Sequence, residues 1–175
     1  MNLSRRMLLH AGLGAGAALA LAPNSFAEPM ADWRQGYATP PAKGFDPAAM
    51  KLVRGRAPKG LSGALYRNGP ALYERAGERY HHWFDGDGMV QQYTLGGQGV
   101  KHRGRLVRTS KLQAEQQAGR FLMNTVGTTI EGGPPGHGPD AFNVANTNAL
   151  EHAGRLLALW EGGSAYALNP ADLST

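Results

Sequence analysis

Apolar and polar residues alternate along this chain in short stretches separated by turn residues, a rhythm that predicts strands. Residues 63–67, Gly-Ala-Leu-Tyr-Arg, read as a short strand stopped by Asn68-Gly69-Pro70. Tyr80-His81-His82-Trp83-Phe84 is aromatic and strand-like. Asp85-Gly86-Asp87-Gly88 predicts a tight turn, because glycine tolerates positive φ and aspartate bonds its own backbone. Residues 89–95 form the return strand, Gly96-Gly97-Gln98-Gly99 turns again, and residues 100–109 make a third strand. Residues 111–119 predict one or two helical turns, with Ser110 as cap and Gly119 as stop. Residues 127–139 are rich in glycine and proline and are expected to be a mobile loop. Two further strands, 143–150 and 155–160, are joined by Glu151-His152-Ala153-Gly154. Residues 165–168 begin another strand before the turn at Asn169-Pro170-Ala171-Asp172.

Successive short hairpins suggest a sandwich, a barrel or a propeller. A propeller blade takes roughly 40–50 residues, so this length would provide about three, and closure needs about four or more. A propeller would therefore be incomplete here, whereas a sandwich could be whole. Ahead of the strands, residues 28–60 carry prolines at 29, 40, 41, 47 and 58. They read as an extended arm over the surface, with Trp33, Tyr37 and Phe45 as anchors. The first 27 residues differ again. Arg5-Arg6 precedes a mild apolar run ending at Pro23, and Ser25-Phe26-Ala27 supplies small residues for a cut. This predicts a twin-arginine signal peptide and a periplasmic or otherwise exported product.

Charge and composition narrow the chemistry. Removing residues 1–27 lowers the formal net charge from +5 to +3, with no acidic residue lost. Lys101, His102, Arg103, Arg105 and Arg108 form the one local basic cluster. Alternation along a strand splits them between two faces, which reads as a solvated surface and not as a nucleic-acid groove. There is no cysteine, so disulfide scaffolds, thiolate metal sites and cysteine nucleophiles are excluded. No phosphate loop and no Gly-x-Ser-x-Gly elbow occurs. The histidines are His10, His81, His82, His102, His137 and His152, and none is paired at helical spacing; solvated or capping roles fit them best. Asp85-Gly86-Asp87-Gly88 starts like a calcium loop but lacks the later ligands, with Gly96 standing where the closing glutamate belongs. Glu161 is different. It follows the unbroken apolar run Leu156-Leu157-Ala158-Leu159-Trp160, which implies burial on both faces, and a carboxylate there needs a partner. A structural ion pair and a functional carboxylate are both open.

Several ordered strings resemble one family. Gly63-Ala64-Leu65-Tyr66-Arg67-Asn68-Gly69-Pro70 is similar to the GTLYRNGP segment of the carotenoid cleavage oxygenases. His82-Trp83-Phe84-Asp85-Gly86-Asp87-Gly88-Met89-Val90 resembles their H-x-F-D-G-D-G-M-V segment. Residues 104–109, Glu115 with Ala118-Gly119-Arg120, Ala145-Asn146-Thr147-Asn148, and residues 155–163 follow in the family's order, so that the resemblance covers about residues 32–175.

The resemblance implies an all-β chain: the N-terminal blades of a seven-bladed β-propeller, over residues 61–175. It also implies an Fe(II) held by four histidines, three of them oriented by outer-shell glutamates, that adds O2 across a conjugated carbon–carbon double bond. Neutral imidazoles suit Fe(II), and a carboxylate on the far N–H of a ring fixes its tautomer and raises its basicity. Glu161 matches the first outer-shell glutamate. The family's first iron-binding histidine lies in an S-A-H-P segment beyond the turn corresponding to residues 169–173. The expectation is therefore that this chain carries no iron ligand, His82 and His152 included, and binds no iron alone. The implied partners are O2 and an apolar carotenoid, apocarotenoid or stilbenoid; membrane-surface association and oligomeric state are left open. The alternative is a catalytically inactive truncated remnant or a partner-binding scaffold.

Overall fold

A computed structural model describes residues 33–175. The signal peptide and the opening of the arm lie outside the described residues. By contact pattern the chain divides into Met1–Gln35 and Gly36–Thr175. Of the first unit, only residues 33–35 are described, at the start of a 3-10 turn over Trp33–Tyr37.

The second unit's elements in chain order are strands β1 (Phe45–Ala49), β2 (Gly63–Leu72), β3 (Glu74–Arg75), β4 (Glu78–Arg79), β5 (Asp87–Gly96) and β6 (Gly99–Leu106). Helix α1 (Ser110–Ala118) follows, then β7 (Asn148–His152), β8 (Arg155–Leu159) and β9 (Tyr166–Leu168). Two larger sheets result, ordered β1-β6-β5-β2 and β7-β8-β9, every pairing antiparallel. The arm thus contributes β1 as an edge of the first sheet. Its Tyr37 ring lies 4.9 Å from that of Tyr73 and 4.2 Å from that of Trp83, while Phe45 is 38 % exposed.

Several local expectations are corrected, each for a physical reason. Asn68-Gly69-Pro70 does not stop a strand, because β2 continues to Leu72 and pairs Asn68 with Val90, Gly69 with Met89 and Pro70 with Gly88. Pro70 is tolerated because β2 is a sheet edge, and the register shifts just beyond it. Residues 80–84 are not a strand. Trp83–Asp85 is a 3-10 turn in which His82 Nδ1 accepts from Phe84 N at 3.2 Å and Asp85 Oδ2 accepts from His82 N at 3.2 Å. The reciprocal side-chain bonds outcompete an extended ladder there. The third strand ends at Leu106; Val107 N still donates to Gly88 O of β5 at 2.9 Å, and beyond it Thr109 N turns back to Val107 O at 2.8 Å ahead of the helix. The cap of α1 is Thr109, not Ser110: its Oγ1 accepts from Leu112 N at 3.0 Å. Gly119 closes the helix at φ 69° as expected. The β3–β4 hairpin was not anticipated; its turn residues Ala76 and Gly77 have φ 53° and 84°, both positive as a type I′ turn requires.

Asp85-Gly86-Asp87-Gly88 is also not a free turn. Gly86 has φ −61° and Gly88 is not left-handed either. What demands glycine is space. A Cβ on Gly86 would lie 2.7 Å from the Tyr73 ring, and one on Gly88 would lie 2.0 Å from the Ala145 carbonyl oxygen.

The core has two apolar clusters, and β5 and the run after it serve both. Val90 and Val107 pack with Ala145, Leu156, Ala158, Leu168 and Leu173. Their neighbours Met89 and Leu106 point the other way, onto Leu72, Tyr80, Leu112 and Phe121.

Beside the second cluster lies a buried polar knot. Lys111 Nζ donates to Tyr80 Oη at 2.6 Å, Asp87 Oδ1 at 2.9 Å and Glu115 Oε2 at 2.9 Å. Lys111 and both carboxylates are closed to solvent. Burial pushes the Asp87 carboxyl above its ordinary range despite Lys111, and burial, with Asp87 and Glu115 nearby, pushes the Tyr80 phenol far up. Replacing Lys111 with Met keeps the stem and strands two carboxylates. The expected loss is about 3–5 kcal/mol in urea unfolding; a loss below about 1 kcal/mol would show that the knot is not a net constraint.

Candidate functional site

The site is built around the end of β8. Leu156 and Ala158 are buried and Leu157 and Leu159 half-buried. The expected burial on both faces is therefore corrected to one well-covered face. Past the strand, Glu161 is exposed, and its Oε2 accepts from Thr147 Oγ1 at 2.9 Å. Its partner in this structure is a neutral hydroxyl just ahead of β7, not a cation. The Gly162-Gly163 pair that follows is dictated by crowding. A Cβ on Gly162 would sit 2.7 Å from the Trp160 ring, and one on Gly163 2.3 Å from Asp140 Oδ1. Asp140 accepts from Ser164 N at 2.6 Å and Ser164 Oγ at 2.8 Å, bonds that hold its carboxyl below the usual range.

Two open apolar cavities adjoin this corner. One, of about 330 Å3, is lined by Phe84, Val126, Phe142, Val144 and Trp160 among others. The other, of about 240 Å3, shares Phe84, Val126 and Trp160 and reaches Asn146, Thr147 and Glu161. An apolar recess ending in a hydroxyl and a carboxylate can hold a long hydrocarbon by its body while polar groups act at one point.

The walls come from distant segments held by buried and half-buried polar side chains. Asn146 Nδ2 donates to Phe84 O and Gly86 O, both at 2.8 Å. Asn68 Nδ2 donates to Ala145 O at 2.8 Å and Asn148 O at 3.0 Å. Asp85, fully buried, accepts from Gly127 N at 2.9 Å and Thr128 Oγ1 at 2.6 Å. The start of the glycine-rich loop is thus anchored, contrary to the mobility expected from its composition. Sequence reasoning singled out Glu161 but missed Phe84, Val126, Thr147 and Trp160 as companions. The family-like strings around 82–90, 145–148 and 155–163 held the signal for all of these except Val126.

The histidines do not converge on this corner. His82 caps the 3-10 turn, His102 Nε2 lies 2.6 Å from Gln91 Oε1, and His81, His137 and His152 are exposed. His10 lies outside the described residues. Among the described residues no three His, Cys, Asp or Glu side chains are grouped so as to hold a metal. The described residues therefore do not form a set of direct iron ligands.

With this geometry in hand, known proteins are informative. Residues 38–175 match the family described as retinal pigment epithelial membrane protein. The chain is 40 % identical over 148 residues to apocarotenoid-15,15'-oxygenase of Synechocystis, covering 82 % of this chain and 30 % of that one.

The chain belongs to the carotenoid cleavage oxygenase family.

Isoeugenol monooxygenase of Pseudomonas nitroreducens is 32 % identical over 70 % of this chain and 25 % of its own length. Solved structures of the Synechocystis apocarotenoid oxygenase superpose with a TM-score of 0.67 at 37 % identity, again over 82 % of this chain and 30 % of theirs. They include variants substituted at a glutamate, a threonine and a tryptophan, and a cobalt-substituted form. The chain therefore spans about 30 % of the length of these relatives. The two sheets are a partial β-propeller. Because Glu161 is exposed and bonded only to a hydroxyl, Glu161→Ala should change unfolding free energy by less than about 0.5 kcal/mol. A larger loss in urea titration would make Glu161 a structural residue.

Proposed function

We propose that this chain is the N-terminal part of an exported Fe(II)-dependent dioxygenase that cleaves a conjugated carbon–carbon double bond of a carotenoid, apocarotenoid or stilbene with O2, one oxygen atom passing to each of two carbonyl products. The observation carrying this is the grouping of Thr147, Trp160 and Glu161 beside the apolar cavity. In the Synechocystis enzyme the substituted tryptophan immediately precedes the substituted glutamate, and the threonine lies 14 positions before it, the spacing of these three residues here. The substrates named for the relatives, apocarotenoids, carotenoids and isoeugenol, all carry a conjugated alkene and suit an apolar recess.

Within that reading Glu161 fits an outer position. One carboxylate oxygen is held by the Thr147 hydroxyl, which fixes the carboxylate's orientation and leaves the other oxygen to accept an imidazole N–H. The iron-binding imidazoles would come from the part of the relatives' length that this chain does not span. The bound metal would supply the chemistry of O2. Phe84, Val126 and Trp160 would exclude water from the alkene and align it.

The test is to read the gene past codon 175, express the complete product and incubate it with an apocarotenoid, a stilbene and isoeugenol. Two carbonyl products with stoichiometric O2 uptake are expected from at least one. A stop codon with no S-A-H-P-like continuation in any frame would sink the enzyme reading and leave a remnant or scaffold. In the complete product, Glu161→Gln should lower iron retention or turnover roughly 10–100-fold; unchanged iron content and rate would remove the role given to Glu161. The export reading rests on Arg5-Arg6. Changing both to Lys should retain the protein in the cytoplasm on cell fractionation, and unaltered export would count against it.

A further inference from the structure

We propose that Val126 sets the cross-section of the apolar cavity and that Thr128 is the positioning residue that holds it in place. The inference rests on the alkene-cleavage reading above and assigns it a specificity device.

Val126 is 73 % exposed and Phe84, which also lines the cavity, is 60 % exposed. An exposed β-branched side chain at a loop tip gains nothing from the core, yet the backbone on both sides of it is tied down. On one side Glu115 Oε1 accepts from Leu122 N at 3.1 Å and Met123 N at 3.2 Å. On the other, Asp85 Oδ1 accepts from Gly127 N at 2.9 Å and Asp85 Oδ2 from Thr128 Oγ1 at 2.6 Å. Thr128 Oγ1 accepts in turn from His81 N at 2.7 Å, and the Thr128 carbonyl accepts from Thr125 N at 2.9 Å. Gly127 leaves no slack, because a Cβ there would lie 2.2 Å from the His82 Cβ. Both carboxylates are fully buried, where bonds to a charged acceptor are strong and the loss of a donor is costly.

Two buried carboxylates therefore fix a loop whose tip touches little of the protein. Such rigidity is useful when the tip must meet a guest at a set distance. Valine suits the task, since branching at Cβ leaves it few rotamers with which to yield. The Thr128 hydroxyl is the loop side chain that donates directly to a buried carboxylate, Asp85, and so the place to cut the latch.

The experiment titrates an apocarotenoid aldehyde and isoeugenol into the complete gene product, following quenching of tryptophan fluorescence, and compares their kcat/KM values. Val126→Phe should weaken the apocarotenoid relative to isoeugenol by about tenfold, and Val126→Ala should move the ratio the opposite way. Thr128→Val keeps the shape without the hydroxyl and should shift the same ratio several-fold, while Thr128→Ser restores it to within about twofold. A ratio unmoved by both Val126 variants, or a Thr128→Val protein matching wild type, overturns the proposal. If Thr128→Val does not fold, hydrogen exchange at the wild-type Gly127 amide decides: protection is expected, and rapid exchange overturns the latch. Binding needs no turnover, so shifted affinities without any cleavage would count against the cleavage reading alone.

Discussion

The amino group of Lys111 lies where solvent does not reach, and much of this fold is arranged around satisfying it. Its three acceptors come from different places: Asp87 from the start of β5, Glu115 from the next turn of its own helix, and Tyr80 from the segment after β4. Apolar packing of Leu112 and Phe121 against Met89 would tolerate a helix that slides. Directional bonds to a buried group do not, because each displacement leaves a donor or acceptor unpaired. The second oxygen of Glu115 carries this fixity onward to the amides of Leu122 and Met123. Burial of one lysine is thus coupled, through a single carboxylate, to the loop that walls the cavity.

A second constraint joins the two sheets. At Gly88 the first sheet approaches the segment leading into β7 so closely that the peptide groups bond directly, Gly88 N to Val144 O at 2.7 Å. Asn146 and Asn68 reinforce the seam with side-chain amides aimed at carbonyls. This seam delivers Phe84 from one segment and Trp160 from another to the same recess. The aspartates on either side of Gly86 then divide the work: Asp85 turns toward the loop at 127–128 and Asp87 toward the helix.

The sequence made some of this legible and hid the rest for identifiable reasons. The paired strands at 89–95 and 100–106, the short helix and its Gly119 stop, and the hairpin at Ala153-Gly154 follow from local pattern, because local pattern is what decides them. Asn68-Gly69-Pro70 and Asp85-Gly86-Asp87-Gly88 misled as turns, since their residues answer to contacts some 60 to 80 positions away. Propensity does not register a carbonyl approaching from elsewhere. Glu161 was visible as a carboxylate ending an apolar run, but its hydroxyl partner Thr147 and its exposure were not. Val126 carried no signal at all, being one valine in a loop whose composition suggested freedom and whose bonds remove it.

One feature of the sheets bears on how the chain acquires its shape. Every ladder partner in β1-β6-β5-β2 has been synthesised once Leu106 is added. The apolar cover for Val90 comes much later, from Leu156, Ala158, Leu168 and Leu173. During vectorial synthesis the first sheet can therefore assemble early yet keep one greasy side bare, a long-range dependence that slows folding and exposes the nascent chain to aggregation. A chaperone that shields that side until Leu173 is made would suppress that aggregation.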